Sequence, residues 1–558
     1  MEKHPDLNAV IQFDRVTYRH SEELSPVLSD LSFSINMGDS ILLAGPSGAG
    51  KSTLTMLMNG ILPANGNGVL EGEIRWFGRD SSKWESGEVS KKIGMMFQDP
   101  ESQFCMTTVE EEIAFGLENL HIPKEEMKRR ITSSLQQTGL EGFEKRTIQR
   151  LSGGQKQRVA LACLLAMKTE VLILDEPFAN IDPLSRQELI QCLAELKKLL
   201  QLTLIIIDHD LNDWTDWITR VLLLDSKGSI KVNEPFEEAL FEHFDQFEQL
   251  TIALPLFIQL QKNTERILLN EESWKEQLTE EQEKAFKQTL VNTKNPSSPG
   301  TPVIQTKDLS YAIDQQLILN DINFTLFKGE TVAFCGHNGA GKSTLALILA
   351  GLFPASGGDL LFGGHSAKHL SMTEIRSKIG YVFQNPEHQF VEHTVSEDVG
   401  FGLKIKRITA DDIKKRIENT LMAIGLNGYE DRHPLSLSQG QKRRLSVASM
   451  TIDDLDVLLL DEPTYGQDAR SMQSLIAMLE ERKYKQKTTL LVTHDMELIH
   501  RLADRTLLLS KGEVQYQGHT SGLWELGEEF LKNHGLLLPP SVKLKQWIGG
   551  RRNVASYY

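Results

Sequence analysis

The chain has 558 residues, with 60 Lys and Arg against 76 Asp and Glu, a net charge of −16 at pH 7. At roughly 100–200 residues per domain, that length predicts about three to five ordinary domains or two large ones. A composition of 40% hydrophobic and 24% charged residues is globular and excludes disordered and fibrous classes. The acidic balance argues against a nucleic-acid backbone binder, which as a rule carries a basic surface, but leaves room for a local basic patch.

In chain order, the first segment, Met1–Asp14, has no apolar core and does not read as a signal peptide. Ser40–Gly60 (SILLAGPSGAGKSTLTMLMNG) reads as strand, glycine loop and helix. The pattern GxxxxGK[ST] after an apolar strand is a phosphate loop, in which glycines let backbone N–H groups wrap phosphate oxygens at a helix N-terminus. Its candidate phosphate contacts are Gly45, Pro46, Ser47, Gly48, Ala49, Gly50, Lys51, Ser52 and Thr53. Lys51 is expected on the β/γ-phosphates, and Ser52 on Mg²⁺.

Gln98 follows a Gly-x-x-Phe strand end and is placed to reach both Mg²⁺ and water. The stretch Val109–Gly139 has helical periodicity. Leu151–Arg158 (LSGGQKQR) puts Ser152 at the start of a helix, because an unbroken helix-forming run follows. The apolar strand Val171–Leu174 then delivers Asp175 as an Mg²⁺ ligand. Glu176 follows at once, aimed differently, to orient water. His209 ends a further apolar strand, as a γ-phosphate hydrogen-bond donor or a structural histidine. Trp214 and Trp217 are expected to pack a helix.

The phosphate loop, glutamine segment, signature run, Asp-Glu strand end and histidine then recur in the same order, the mark of a tandem repeat. Gly336, His337, Asn338, Gly339, Ala340, Gly341, Lys342, Ser343 and Thr344 form the second phosphate loop. Gln384, the LSQGQKRR run Leu437–Arg444, Asp461, Glu462 and His494 follow, with the same expected roles. Leu254–Leu260 is echoed by Leu538–Leu544. The expected division is repeat one at 8–261, a polar linker at 262–300, repeat two at 301–547 and a basic tail at 548–558. The linker ends in turn-forming residues, and Glu271–Leu290 lacks helix breakers and could form an exposed helix. The tail could touch anionic lipid or stay solvated. Alternating β-rich and helical runs predict an α/β class with parallel sheets flanked by helices.

Cys105, Cys163, Cys192 and Cys335 are scattered, without a CxxC pair, and read as reduced thiols. No apolar run approaches the ~20 residues that span a bilayer, so if a membrane process is served, another chain must do the crossing. His388 and His393 have no accompanying metal-ligand spacing, so no metal beyond nucleotide-bound Mg²⁺ is expected.

Phosphate loop, glutamine loop, LSGGQ signature, Asp-Glu and His, twice in order, resemble the ATP-binding cassette (ABC) ATPases across most of the chain. The resemblance implies two tandem P-loop NTPase domains, each with a mainly parallel sheet core, an antiparallel β portion and a helical subdomain. It implies ATP and Mg²⁺ as ligands and a head-to-tail pairing of the two domains within the chain. The site of Lys51, Ser52, Gln98, Asp175, Glu176 and His209 would then be closed by Ser438, Gly440 and Gln441. That of Lys342, Ser343, Gln384, Asp461, Glu462 and His494 would be closed by Ser152, Gly154 and Gln155. Tyr18 and Tyr311 match the adenine-stacking aromatic, or are ordinary strand tyrosines. Asp182 and Asp468 match the aspartate that links the sites. Gln439 replaces Gly153, and Tyr465–Asp468 replaces Ala179–Asp182. Neither change removes a metal ligand, a water-orienting group or a phosphate donor, so both sites are expected to bind ATP and at least one to hydrolyse it.

The segments after the glutamines, Gln98–Phe104 and Gln384–Phe390, resemble those of energy-coupling factor (ECF) importer ATPases. That likeness implies a peripheral ATPase on the cytoplasmic side of the cell membrane. Its partners would be a transmembrane scaffold protein and a separate substrate-capturing membrane protein, with a B vitamin, an HMP/thiamine compound or a transition metal as cargo. Phe104 and Phe390 are candidates for lining the scaffold groove or for core packing. The alternatives are the ATPase of another ABC importer and a soluble tandem ATPase of the translation-factor type. The second would usually carry a more basic linker, and no nucleic-acid partner is expected.

Overall fold

The computed structural model describes residues 8–21, 24–46, 48–63, 68–85, 87–97, 100–178, 181–208, 211–212, 214–250, 252–262, 264, 267–279, 282–283, 286, 300–314, 316–405, 409–453, 455–464 and 469–555. It falls into two compact units, one made of 1–181 with 185–278 and the other of 182–184 with 279–558.

In the first unit, alternating residues of Ala9–Arg19 and Leu28–Asn36 bury one face of an antiparallel sheet completed by Val69–Trp76 and Arg79–Asp80. The main sheet runs in the order Ile230–Pro235, Arg220–Leu224, Ser40–Ala44, Thr203–Ile207, Val171–Asp175, Ile93–Met96. All its pairings are parallel except that of Ile230–Pro235 with its neighbour. Ser40–Ala44 and Thr203–Ile207 are buried throughout, as strands covered on both faces must be. That burial explains why they read as unbroken apolar runs.

A helical layer stands apart from the sheets. Val109, Ile113 and Leu117 repeat every four residues on helix Val109–Asn119, and Met127, Ile131 and Leu135 do so on Lys124–Gln137. These stripes share one core with Val159, Ala162 and Ala166 of helix Gly153–Met167. Thr108 and Glu111 start the first helix with a capping box.

The second unit repeats the plan. Its antiparallel sheet runs Gln316–Phe327, Pro302–Ile313, Gly357–Phe362, His365–Ser366. Its main sheet runs Ile379–Val382, Val457–Asp461, Thr488–Val492, Thr331–Cys335, Arg505–Ser510, Glu513–His519, antiparallel only at the last pair. Helices Val395–Ile405, Ala410–Ala423 and Gln439–Thr451 make the helical layer. The α/β architecture expected from the sequence is thus present in each half.

Two segments depart from expectation. The expected linker helix is broken at Leu278 and Thr279: Glu271–Gln277 form one helix, Gln282, Glu283 and Phe286 are helical again, and residues 280–281, 284–285 and 287–290 lie outside the described ones. The first helix is not fully exposed. Its Trp274 is buried with its ring 5.9 Å from that of Phe257, so apolar burial decides what the charge pattern did not. The helix Pro540–Ala555 runs from the second repeat into the basic tail, with Val542, Leu544 and Ile548 buried. Among the described residues, no helix is long and apolar enough to cross a membrane.

Candidate active site

In both repeats the first and last phosphate-loop glycines have no room for a side chain. Gly50 has φ 89° and Gly341 φ 96°, left-handed values that favour glycine. A Cβ on them would lie 2.8 Å from Leu28 Cδ2 and 2.7 Å from Leu319 Cδ2. The loops open directly into helices Lys51–Met58 and Lys342–Leu349. Lys51 Nζ folds back to donate to Gly45 O at 2.8 Å and Pro46 O at 3.1 Å. Lys342 Nζ does the same to Gly336 O at 2.8 Å and His337 O at 2.9 Å. Both ammonium groups are buried. Burial pushes that of Lys342 below its ordinary pKa. The loop carbonyls hold each lysine where a polyanion would draw it by stronger, charge-assisted bonds.

Next to each loop a hydroxyl meets a carboxylate. Ser52 Oγ lies 3.5 Å from Asp175 Oδ2, and Ser343 Oγ donates to Asp461 Oδ1 at 3.1 Å. Tyr381 OH donates to the other oxygen of Asp461 at 2.9 Å. Burial raises the pKa of both aspartates, opposed by the nearby lysines and hydroxyls.

The glutamate after each aspartate has a backbone feature that the sequence did not reveal. Glu176 and Glu462 have φ 45° and 47°, a left-handed conformation costing a non-glycine residue about 1–2 kcal/mol. Each closes the kink with a 2.8 Å backbone bond, to Ile207 O and Val492 O respectively. This kink turns the glutamate away from the direction of its aspartate. Glu462 Oε1 lies 3.2 Å from His494 Nε2. Burial pushes the Glu462 carboxyl up to about 8, opposed by Lys342. Burial, with Lys342 and His337, pushes His494 down to about 3. The imidazole is therefore neutral at pH 7, and its Nδ1 is buried with no partner among the described residues.

The signature serines begin helices, as expected. Ser152 Oγ accepts from Gln155 N at 3.4 Å while Gln155 Oε1 accepts from Ser152 N at 3.0 Å. Ser438 and Gln441 form the same capping box at 3.4 and 2.9 Å. As acceptors here, both hydroxyls keep their protons for another partner. Both serines are exposed.

Gln384 is exposed beside the second carboxylate pair. Ser47, Gln98, His209 and Asp468 lie outside the described residues. Tyr18 is 1% exposed, against the open ring face that a stacked base needs. Tyr311 stacks on Phe353 with ring centroids 6.1 Å apart. Phe104 and Phe390 pack partly buried against their helical cores. The exposed side chains nearby are Met106 and Phe115 in repeat one and Val391 and Phe401 in repeat two. Sequence reasoning passed over these because Phe115 and Phe401 sit within amphipathic helices. Trp214 lies in a turn rather than a helix, stacked on Phe178 at 4.8 Å, with Nε1 donating to Asp208 at 2.7 Å. His337, where repeat one has Pro46, faces the C-terminal segment, with Nε2 3.4 Å from Asn533 O.

Two phosphate-loop folds, each with a hydroxyl–carboxylate pair at the neighbouring strand end and a capped signature helix, define an ATPase of the ABC type. The ABC transporter family pattern matches residues 28–179 and 319–465, and the chain belongs to that family of transport ATPases, with two tandem ATP-binding domains. It is 38% identical over 550 residues to the "Putative HMP/thiamine import ATP-binding protein YkoD" of Bacillus subtilis, covering 98% of this chain and 97% of that one. It is 34% identical over 559 residues to a "Putative ABC transporter ATP-binding protein" of Methanosarcina mazei, covering 98% and 94%. A solved structure of cbiO1 from Clostridium perfringens, described as part of the ABC transporter complex cbiONQ, matches 42% of this chain and 94% of its own, at 30% identity and a TM-score of 0.37.

Proposed function

We propose that the chain is the ATP-hydrolysing subunit of an ECF-type importer, with one ATP site on each phosphate loop. The observation that carries the ATP sites is their duplication: in both repeats a buried lysine folds over the loop, and a serine hydroxyl faces an aspartate. In this reading Lys51 and Lys342 leave their loop carbonyls for the β/γ-phosphates, which the loop N–H groups and helix N-termini also bind. Ser52 with Asp175, and Ser343 with Asp461, offer hard oxygen donors that fit Mg²⁺. The ion would neutralise charge developing on the phosphates. Gln98 and Gln384 complete those ligand sets and sense the γ-phosphate side. Glu176 and Glu462 orient the attacking water, and His209 and His494 donate to the γ-phosphate.

Ser438, Gly440 and Gln441 close the first site, and Ser152, Gly154 and Gln155 the second, in a head-to-tail pairing of domains 8–261 and 301–547. The free serine proton supports this reading, because it is available to a terminal phosphate oxygen. Tyr311 is the better placed of the two adenine-stacking candidates. The linker 262–300 keeps the two ATPases at a 1:1 ratio and raises their effective concentration.

The import role and the cargo class rest on the relative named for HMP/thiamine import and on the segments Gln98–Phe104 and Gln384–Phe390. The exposed Met106 with Phe115, and Val391 with Phe401, are apolar positions for coupling helices of a transmembrane scaffold at the cytoplasmic membrane face. Co-purification from membranes tests this. A scaffold and a small substrate-capturing membrane protein are expected to follow the tagged chain, and Phe115→Asp with Phe401→Asp to release them. Cosedimentation with ribosomes instead would overturn the importer reading.

A further inference from the structure

Two positions beside the carboxylates differ in kind between the repeats. IGMMFQ in repeat one becomes IGYVFQ in repeat two, placing Tyr381 opposite Met95. LSGGQKQR becomes LSQGQKRR, placing Arg443 opposite Gln157. Both new polar groups are inside the protein, Tyr381 at 7% and Arg443 at 1% exposure. A buried guanidinium is costly unless its N–H groups find acceptors. Those of Arg443 are directed at backbone carbonyls on two different segments. Nη1 donates to Phe383 O and, at 3.3 Å, to Gln384 O. Nη2 donates to Asp461 O at 2.7 Å and to Glu462 O, and Nε reaches Pro463 O at 3.4 Å.

Repeat one holds the corresponding segment by other means. Gln103 Oε1 accepts from Phe97 N at 3.1 Å, and its Nε2 donates to Met95 O at 3.2 Å, both within its own segment. The counterpart Gln389 is turned toward Ser446 instead, at 2.6 and 2.8 Å. Gln157 is 2% exposed, and its Oε1 has no hydrogen-bond partner among the described residues.

We infer that Arg443 is a positioning residue of the second ATP site, tying the backbone of Phe383 and Gln384 to the turn that presents Asp461 and Glu462. The planar fork of the guanidinium suits this, since it fixes several acceptors in one geometry, which a lysine ammonium or a glutamine amide does not. The metal-facing and water-orienting groups of repeat two then move as one piece. Tyr381 completes the arrangement by fixing one oxygen of Asp461 while Ser343 holds the other. The inference rests on the roles proposed above for Gln384, Asp461 and Glu462.

The test uses the full chain with 8-azido-ATP, Mg²⁺ and orthovanadate, irradiation, and assignment of labelled peptides to each repeat. Label at 4 °C without vanadate reports binding, and vanadate-dependent label reports a site that has hydrolysed. Arg443→Gln is expected to lower vanadate-dependent label in repeat two at least ten-fold. Vanadate-independent label there, and both labels in repeat one, should stay within two-fold. Arg443→Lys should behave like Arg443→Gln. Tyr381→Phe should raise the Mg²⁺ needed for half-maximal trapping in repeat two about three-fold and leave repeat one alone. A change under two-fold in Arg443→Gln overturns the positioning role. So does loss of vanadate-independent label from repeat two, which would mark Arg443 as merely structural. If Glu462→Gln leaves vanadate-dependent label in repeat two untouched, the site reading fails first and the inference falls with it.

Discussion

Repeat one secures its glutamine-loop strand with a neutral side chain from the same segment, Gln103. Repeat two uses a buried cation from the signature helix, Arg443, that also grips the Asp-Glu turn. What the halves share is mostly backbone: the left-handed glutamates, the capped serines and the lysine folded over its loop. What has diverged lies one layer behind. Duplication has therefore kept the geometry of the proposed nucleotide sites and altered what stiffens it, so equal motifs need not mean equal sites.

The largest expected effect tests whether both halves turn over. Glu176→Gln and Glu462→Gln, assayed singly for steady ATP hydrolysis, should each remove the share of turnover that its own repeat carries, about half, and together should lower turnover by about 10²-fold or more, the usual cost of losing a positioned base. If only one does, the halves are unequal in chemistry as well as in support; if neither does, both glutamate assignments are wrong.

A smaller effect compares the first glycines of the loops. A Cβ on Gly336 would lie 2.0 Å from Leu509 O, and one on Gly45 2.8 Å from Leu224 O. Gly336→Ala should cost about 3 kcal/mol in urea unfolding and Gly45→Ala about 1–2. Equal costs would mean that the second loop relaxes more readily than its packing implies.

A third comparison concerns the strap under the exposed apolar positions. Glu112 Oε2 accepts from the backbone of Cys105 at 2.9 Å and Met106 at 2.8 Å. Asp398, one methylene shorter, takes Val391 at 2.9 Å and Glu392 at 3.3 Å and adds Ser449 Oγ at 3.3 Å. Truncating either to Ala strands two N–H groups and should cost about 2 kcal/mol. Hydrogen exchange should quicken at 105–106 or 391–392 respectively.

The smallest effect is a pH dependence confined to repeat two. Lys487 donates to Asp456 at 2.9 Å and holds its carboxyl below the ordinary range. A carboxyl depressed in the folded state adds stability above its unfolded value, about pH 4, and loses it as pH falls through the folded value. Lys487→Leu should therefore destabilise at pH 7, by less than about 1 kcal/mol for so exposed a pair, and the effect should shrink as pH falls below about 4. A loss that persists in acid would point to packing of the lysine stem.

The phosphate loops, the Asp-Glu strand ends and the signature helices were legible because each couples a fixed residue order to a change in hydrophobic period. The helical layer was legible for the same reason, through its four-residue stripes. The glutamate kink was not, since a positive φ at Glu176 leaves no mark in composition. Arg443 stands beside Lys442 and Arg444 in a polar run, so only its replacement of Gln157 marked it, and nothing in the pattern showed that this one of the three cations would be buried deepest. The scaffold-groove candidates shifted from Phe104 and Phe390 to neighbours because helical periodicity says which residues share a face and not how fully that face is covered. Tyr18 read as a stacking residue from its position alone, yet a Cβ on Gly68 would lie 2.3 Å from its hydroxyl, so the loop backbone presses against the ring.

If the proposed pairing holds, the double hydrogen bond that begins each signature helix gives that serine a structural duty besides its nucleotide one. Silencing it by substitution would also unpin the first turn of a helix in the core of the helical layer, at about 1 kcal/mol. Folding thus resists the slow decay of either catalytic half, and a chain of this kind loses an ATP site more readily through residues that hold nothing else in place.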